Sequence, residues 1–329
     1  MAIKRKSKAS EELSQRENLI LRLVITNFIS SGTPVGSRFL WKNYHLDMCP
    51  ATIRNIMFDL EETGFVMQPH KSAGRVPTDK GIRAYIEDYI QFEELTETEK
   101  RAIEEDIESI RSNVDDLLKK TSLVLGNLSK QLGVVLTPNL FSGILKKIEL
   151  VDVSDNKLLV VISLKTDLFK TIIIEIDSHI QKAELEETAR VLTERLSGLT
   201  LGVIKDTIDK RLEDISTGNK GIMRYFIEYP ENLFNIEWRG DVHVGGTEKI
   251  VEQPEFFSNE NVKKVLHLLN DKKTIINIME QRNNEEDITV TIGKENKDSK
   301  IELFSIITAG YTIGNMKGTL GIIGPRRMR

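Results

Sequence analysis

The sequence predicts a multidomain α+β protein: a small helical head closed by a hairpin, then a longer body of mixed strands and helices. Three observations lead there. Residues 1–83 hold 13 Lys/Arg against 8 Asp/Glu, a net +5, whereas residues 84–329 hold 33 against 42, a net −9. Between residues 14 and 90, helical spacing is broken twice by short turns and then gives way to two extended pieces around a polar turn. Beyond residue 140, apolar runs of strand length alternate with helical patterns. At 329 residues the chain is too long for one core, and two or three domains are expected.

Composition narrows the class. The chain is 40% hydrophobic and 29% charged, and no apolar run approaches the roughly 20 residues of a membrane helix. Met1-Ala2-Ile3-Lys4-Arg5-Lys6 is basic but lacks a following apolar segment, so residues 1–12 read as a basic tail and not as a secretory signal. The one cysteine, Cys49, rules out an intrachain disulfide and a multi-thiolate metal site, and a reducing, cytoplasmic location is expected.

The head follows from local signals. Ser14 and Glu17 form a capping box ahead of a helix whose apolar positions are Leu19, Ile20, Leu23, Val24 and Phe28. Ser31-Gly32-Thr33-Pro34 stops it, and Gly36-Ser37 leads into a second, short helix from Arg38 to Tyr44. A third helix starts at Pro50, favoured at a first helical position, and stops at Thr63-Gly64. Its inward stripe is Ile53, Ile56, Met57 and Leu60. Ala51, Thr52, Arg54 and Asn55 face outward on its first two turns. Residues 65–78 then read as a hairpin around Gly74, with Lys71 and Arg75 near its tip, and a fourth helix begins at 78–81.

That order is a winged helix-turn-helix. It points to duplex DNA, because recognition helices meet base edges with their N-terminal residues. Arg suits guanine, Asn suits adenine, and an Ala or Thr methyl can touch thymine. Lys71 and Arg75 would meet phosphates, adding affinity and salt dependence without sequence choice. Singly, Arg54 and Asn55 would pass for a solvated helix face, and Lys71 and Arg75 for turn residues. The motif order is what favours the DNA reading. His70 reads equally as a turn residue and as a phosphate contact, and Cys49 as a passive residue beside the cap.

In the body, residues 97–132 read as one long helix with a heptad-like seam: Ile103, Ile107, Ile110, Val114, Leu117, Thr121, Val124 and Leu128. Strands are expected at 144–153, 158–164 and 169–176, and a helix at 180–199. Residues 201–283 read as a separate unit, with helices at 204–215, 221–228, 259–269 and 273–280. Its strands fall at 241–244 and 248–251, joined by a hairpin turn at Gly245-Gly246. Strands resume at 288–292, 301–308 and 319–323. These last strands need partners, and the sheet of 144–176 is the expected one. The body is thus one α+β domain, 93–200 with 284–329, interrupted by an inserted unit at 201–283, behind a head at 1–92.

No catalytic constellation is present. There is no Gly-rich phosphate loop with Lys-Ser/Thr, no His-Glu-x-x-His and no nucleophile elbow. No cofactor or metal site is read, and His243 and His267 stand isolated as structural residues.

Pro34-Val35-Gly36-Ser37-Arg38, Ala51-Thr52-Ile53-Arg54-Asn55, Asp59-Leu60-Glu61-Glu62-Thr63-Gly64 and Gln68-Pro69-His70-Lys71-Ser72-Ala73-Gly74-Arg75-Val76-Pro77-Thr78 resemble the HrcA family of bacterial heat-inducible transcription repressors. The last stretch is the most specific. The likeness continues at Gly245-Gly246-Thr247, Gln253-Pro254-Glu255-Phe256 and 318–325. The family commonly has Thr where Lys71 and Phe39 stand, Ser where Cys49-Pro50 stand, and a further helix after the position of Pro325.

The resemblance implies that the body is GAF-like with an inserted dimerisation domain. It implies a homodimer on an inverted-repeat operator of chaperone genes, released on heat stress, with activity maintained by the GroEL chaperonin. The DNA-contacting set becomes Ser37, Arg38, Ala51, Thr52, Arg54, Asn55, His70, Lys71, Ser72 and Arg75. The competing reading is a repressor whose GAF-like body senses a small metabolite. An enzyme with a DNA-binding head is disfavoured by the missing site chemistry.

Overall fold

A computed structural model describes residues 13–89, 94–108, 114–154, 156–176, 180–215, 217–234, 242–256, 258–281 and 288–328. The expected tail at 1–12 lies outside them. Among the described residues no helix is long and apolar enough to cross a membrane, and no group of three or more His, Cys, Asp or Glu could hold a metal ion.

The head forms as its local signals dictate. Helix α1 (Gln15–Ser31) has the reciprocal Ser14–Glu17 capping box and ends at Gly32 in the left-handed region. Helices α2 (Ser37–Tyr44) and α3 (Pro50–Glu62) follow, then strands β1 (Val66–Met67) and β2 (Val76–Pro77) and helix α4 (Asp79–Tyr89). Ile20, Leu21, Val24, Ile25, Leu40, Ile53, Leu60 and Phe65 make a separate core. Gly81 lets α4 pass over the hairpin entry: a Cβ there would lie 2.2 Å from the Phe65 carbonyl oxygen.

The expected single helix at 97–132 is two helices, α5 (Glu97–Glu108) and α6 (Val114–Ser129). Lys120 Nζ lies 2.9 Å from Asp106 Oδ1. In one straight helix those residues would stand roughly 21 Å apart along the axis, so the chain folds back. The heptad line and the buried line coincide only in part, Val124 lying on both. Leu128 is exposed while Leu118 and Ser122 are buried, because α6 packs through its small residues: a Cβ on Gly126 would meet the Gly245 carbonyl at 2.8 Å. Ile110 of the expected seam lies outside the described residues.

Strand β3 (Leu132–Leu136) then enters a sheet as an interior strand. All five of its residues are buried, so it lacks the apolar–polar alternation that betrays a half-exposed strand. Strands β4 (Leu145–Ser154), β5 (Lys157–Leu164) and β6 (Phe169–Glu175) form an antiparallel meander. Helices α7 (Lys182–Leu196), α8 (Leu201–Leu212), α9 (Lys220–Glu228) and α10 (Pro230–Phe234) follow it. Ile148, Leu158, Val160, Ile162 and Ile174 of the meander share one core with Leu192, Ile204, Ile208, Phe226 and Leu233 of the helices.

The chain returns to the first sheet with β7 (Val242–Gly245), then α11 (Thr247–Val251), α12 (Asn259–Asn270), α13 (Lys272–Glu280), β8 (Thr289–Ile292), β9 (Phe304–Ile313) and β10 (Met316–Pro325). The sheet order is β7-β3-β10-β9-β8, antiparallel throughout. Its core joins Leu132, Val134, Ile306 and Ile323 to Val265, Ile275 and Met279 of the helices.

Two expectations are corrected here. The last strands join β3, which pairs on its other side with β7, and not the meander of 145–175, which closes on its own helices. The segment expected as a strand at 248–251 is helix α11, and Gly245-Gly246 is not a hairpin turn. Gly246, at φ +75, precedes that helix as its N-terminal residue, and a Cβ on Gly245 would lie 2.5 Å from Ser122 backbone.

Candidate nucleic-acid interface

The hairpin is held to the helices before it reaches outward. Val35, between α1 and α2, exchanges two backbone hydrogen bonds with Arg75 (2.9 and 2.8 Å) and so acts as a third strand of one residue. A Cβ on Gly74 would lie 2.4 Å from the Val35 carbonyl carbon, which makes this approach possible for glycine only. The turn is braced from inside by Gln68, whose side-chain amide donates to the carbonyls of Lys71 (3.1 Å) and Ala73 (2.9 Å). Its backbone N–H donates to Glu61 Oε1 at 3.0 Å.

Between this hairpin, the N-terminus of α2 and the outer side of α3 lies a groove of about 470 Å³. Ser37, Arg38, Arg54, Lys71, Ser72 and Arg75 line it with Gln68 and Met57, and no lining residue is a carboxylate. Helix α2 has no side-chain cap, so its first N–H groups add partial positive charge to the same groove. Cationic side chains beside a helix N-terminus are chemistry suited to a phosphate.

Of the ten residues expected to touch DNA, the structure thus brings six to one groove. Ala51 and Asn55 are exposed on α3, and His70 is exposed at the hairpin, all three outside the groove lining. Thr52 is half-buried, with its hydroxyl 3.3 Å from Cys49 Sγ. Hydrogen bonding from the Thr52 side chain first, and then from the Thr52 and Ala51 backbone, holds the exposed Cys49 thiol below its ordinary pKa.

Arg75 is placed differently from the expectation of a phosphate contact at the tip. Its side chain is 15% exposed and its Nη2 lies 2.7 Å from Glu61 Oε2. The guanidinium is occupied in tying the hairpin to α3, which leaves Lys71, fully in solvent reach, as the cation of the turn. Glu61, Gln68 and Val35 are the supporting residues that spacing alone does not reveal. Each carries a signal only through its place in a family-like motif: Val35 in Pro34–Arg38, Glu61 in Asp59–Gly64 and Gln68 in the Gln-Pro-His stretch.

The chain is similar to known proteins over nearly its whole length. The family profile described as "HrcA protein C terminal domain" matches residues 115–329. The "Heat-inducible transcription repressor HrcA" of Chlorobium chlorochromatii is 40% identical over 321 residues, covering 96% of this chain and 92% of that one. The protein of the same name from Prosthecochloris aestuarii is 36% identical over 328 residues, with coverage of 96% and 92%. A solved structure described as a hypothetical protein at 2.2 Å resolution has a TM-score of 0.59 at 23% identity, covering 97% of this chain and 93% of that one, which is a likeness of fold. The chain belongs to the HrcA family, a family of transcription repressors and not of enzymes.

Proposed function

We propose that the chain is a winged-helix repressor that binds an inverted-repeat operator as a homodimer and leaves it on heat stress. The observation that carries this reading is the carboxylate-free groove, where Arg38, Arg54 and Lys71 converge on the N-terminus of α2. On this reading, Ala51, Thr52, Arg54 and Asn55 face the bases, while Ser37, Arg38, Lys71, Ser72 and His70 meet phosphates and fix register. Arg75 supports the wing from behind.

The dimer draws support from the outer face of the meander. Val151, Leu159 and Ile173 stand directly opposite one another across β4, β5 and β6, with Phe169 farther along the same face. Val151, Phe169 and Ile173 are exposed. An apolar sheet face turned to solvent suits a second copy of the same face. Domain boundaries follow the three cores: a head ending near residue 89, a GAF-like domain built on the five-stranded sheet, and an inserted dimerisation domain over about 143–234 in place of 201–283.

Heat release then needs only a body of marginal stability, since unfolding removes the dimer and with it half of the DNA contacts. Maintenance by the GroEL chaperonin is carried by the family resemblance. Recovery of operator binding after heating, with and without chaperonin, tests it. The reading as a whole is tested by selecting bound duplexes from a random pool: an inverted repeat is expected, and enrichment of no common sequence contradicts it.

A second reading has one observation in its favour. A cleft of about 390 Å³ beside α12 and α13 is lined by Lys263, Lys264, His267 and Lys300 together with the carboxylates Glu260 and Asp271, a mixed polar lining that suits a small polar metabolite. A saturable rise in Tm with such a compound would support a ligand-responsive repressor.

A further inference from the structure

The head and the five-stranded sheet domain have separate cores, and what joins them is polar. Asp79, in the first turn of α4, pairs through Oδ1 with the Arg326 guanidinium and accepts the Lys294 N–H at Oδ2 (3.1 Å). A Cβ on Gly293, at φ +53, would lie 2.5 Å from that carboxylate. One turn along α4, Arg83 donates Nε to Glu295 Oε1 (3.0 Å) and Nη2 to the Val290 carbonyl (2.6 Å). Its Nη2 also pairs with Glu295 Oε2, which in turn accepts the Ile292 N–H at 2.9 Å. The Glu295 carboxylate raises the Arg83 pKa above its ordinary value, chiefly through this hydrogen bond.

A third arginine comes from the body. Arg327 donates Nη1 to the Ile29 carbonyl (2.8 Å), in the last turn of α1, and holds Glu255 with its other nitrogens. The Ile29 carbonyl is one that a helix C-terminus leaves without an intrahelical donor, and a cation there complements the helix dipole. The anion at the start of α4 and the cation at the end of α1 therefore dock two helix ends of the head onto one edge of the body.

None of these residues lines the DNA groove. We infer that Asp79, Arg83, Arg326 and Arg327 are positioning residues: a polar latch that fixes the angle of the head on the body and thereby sets the half-site spacing a dimer accepts. The inference rests on the dimeric DNA-binding reading. Two recognition helices must reach major grooves separated by about one helical turn, roughly 34–36 Å, or a multiple of it. A latched head presents its helix at one separation, whereas a head on a free tether spreads its effective concentration over many.

The experiment uses the full chain against duplexes in which two half-sites are moved apart in single base-pair steps, with one half-site alone as the reference. Wild type is expected to prefer one spacing by about tenfold or more over a half-turn offset. Asp79→Asn with Arg83→Gln should reduce that preference below about threefold while leaving single half-site affinity unchanged. The exchange Arg83→Glu with Glu295→Arg should restore spacing selectivity lost in Arg83→Glu alone. Unchanged selectivity in the Asp79/Arg83 variant overturns the proposal, as does an equal loss on the single half-site, which would place these residues inside the head's own function. Hydrogen exchange at the Lys294 amide reads the latch without DNA. Faster exchange in Asp79→Asn, with α3 amides unchanged, supports the latch even if no duplex is bound, a result that would sink the DNA-binding reading alone. Unaltered exchange overturns the latch itself.

Discussion

Arg75 of the hairpin and Glu61 of the third helix form an ion pair at 2.7 Å, with the arginine side chain only 15% exposed. The same carboxylate accepts the Gln68 N–H, so one acidic residue fixes both legs of the hairpin. One of the two hairpin cations that the sequence offers to phosphates is thus held in an ion pair with α3, while Lys71 is exposed.

That division separates two variants by salt. Lys71→Ala should weaken binding to every duplex and lower the slope of log affinity against log salt by about 1, as expected for one lost phosphate contact. Arg75→Ala should cost about 2 kcal/mol of head stability through the broken charged hydrogen bond, and weaken DNA binding with the slope unchanged. Anisotropy titrations at several salt concentrations decide. A lowered slope in Arg75→Ala would return it to the phosphate-contacting set.

The exposed meander face predicts an oligomeric effect. Ile173→Glu puts a charge at the β6 end of the row Val151–Leu159–Ile173, where a self-pairing surface would have to bury two carboxylates. Sedimentation should show a monomer that keeps half-site affinity. A variant that stays dimeric would place the interface elsewhere.

Lys170, on β6, is half-buried and its ammonium is pushed down to about 8 by desolvation. Below pH 8 both folded and unfolded chains hold the proton, and the desolvation cost is constant. Between pH 8 and the ordinary lysine value, the unfolded chain binds more protons, so stability should rise with pH. Lys170→Met should therefore raise Tm at pH 7 and remove that part of the rise. Parallel Tm–pH curves for the two proteins would show that the ammonium is not desolvated.

The head was legible because its determinants are local. Ser14 and Glu17 lie three residues apart, Pro50 opens its helix, and the turn residues sit inside one hairpin. The body was less so. Strand β3 is buried on both faces and shows no alternation, so residues 133–136 carry no strand signal after the helix expected to end at 132. Without it the last strands were given the wrong partners. Ala51, Arg54 and Asn55 could be placed on the outer side of α3 by helical spacing alone. The inward turn of Arg75 depends on Glu61, and the latch joins Asp79 to Arg326 across 247 residues; no local pattern carries either.

The central claim is that the outer side of α3 reads bases, and Arg54 tests it most directly. With each base pair of a selected half-site replaced in turn, Arg54→Ala should flatten discrimination at one position per half-site, by about 1–3 kcal/mol, and preserve it elsewhere. A uniform loss across all positions, or an unaltered profile, would contradict the account.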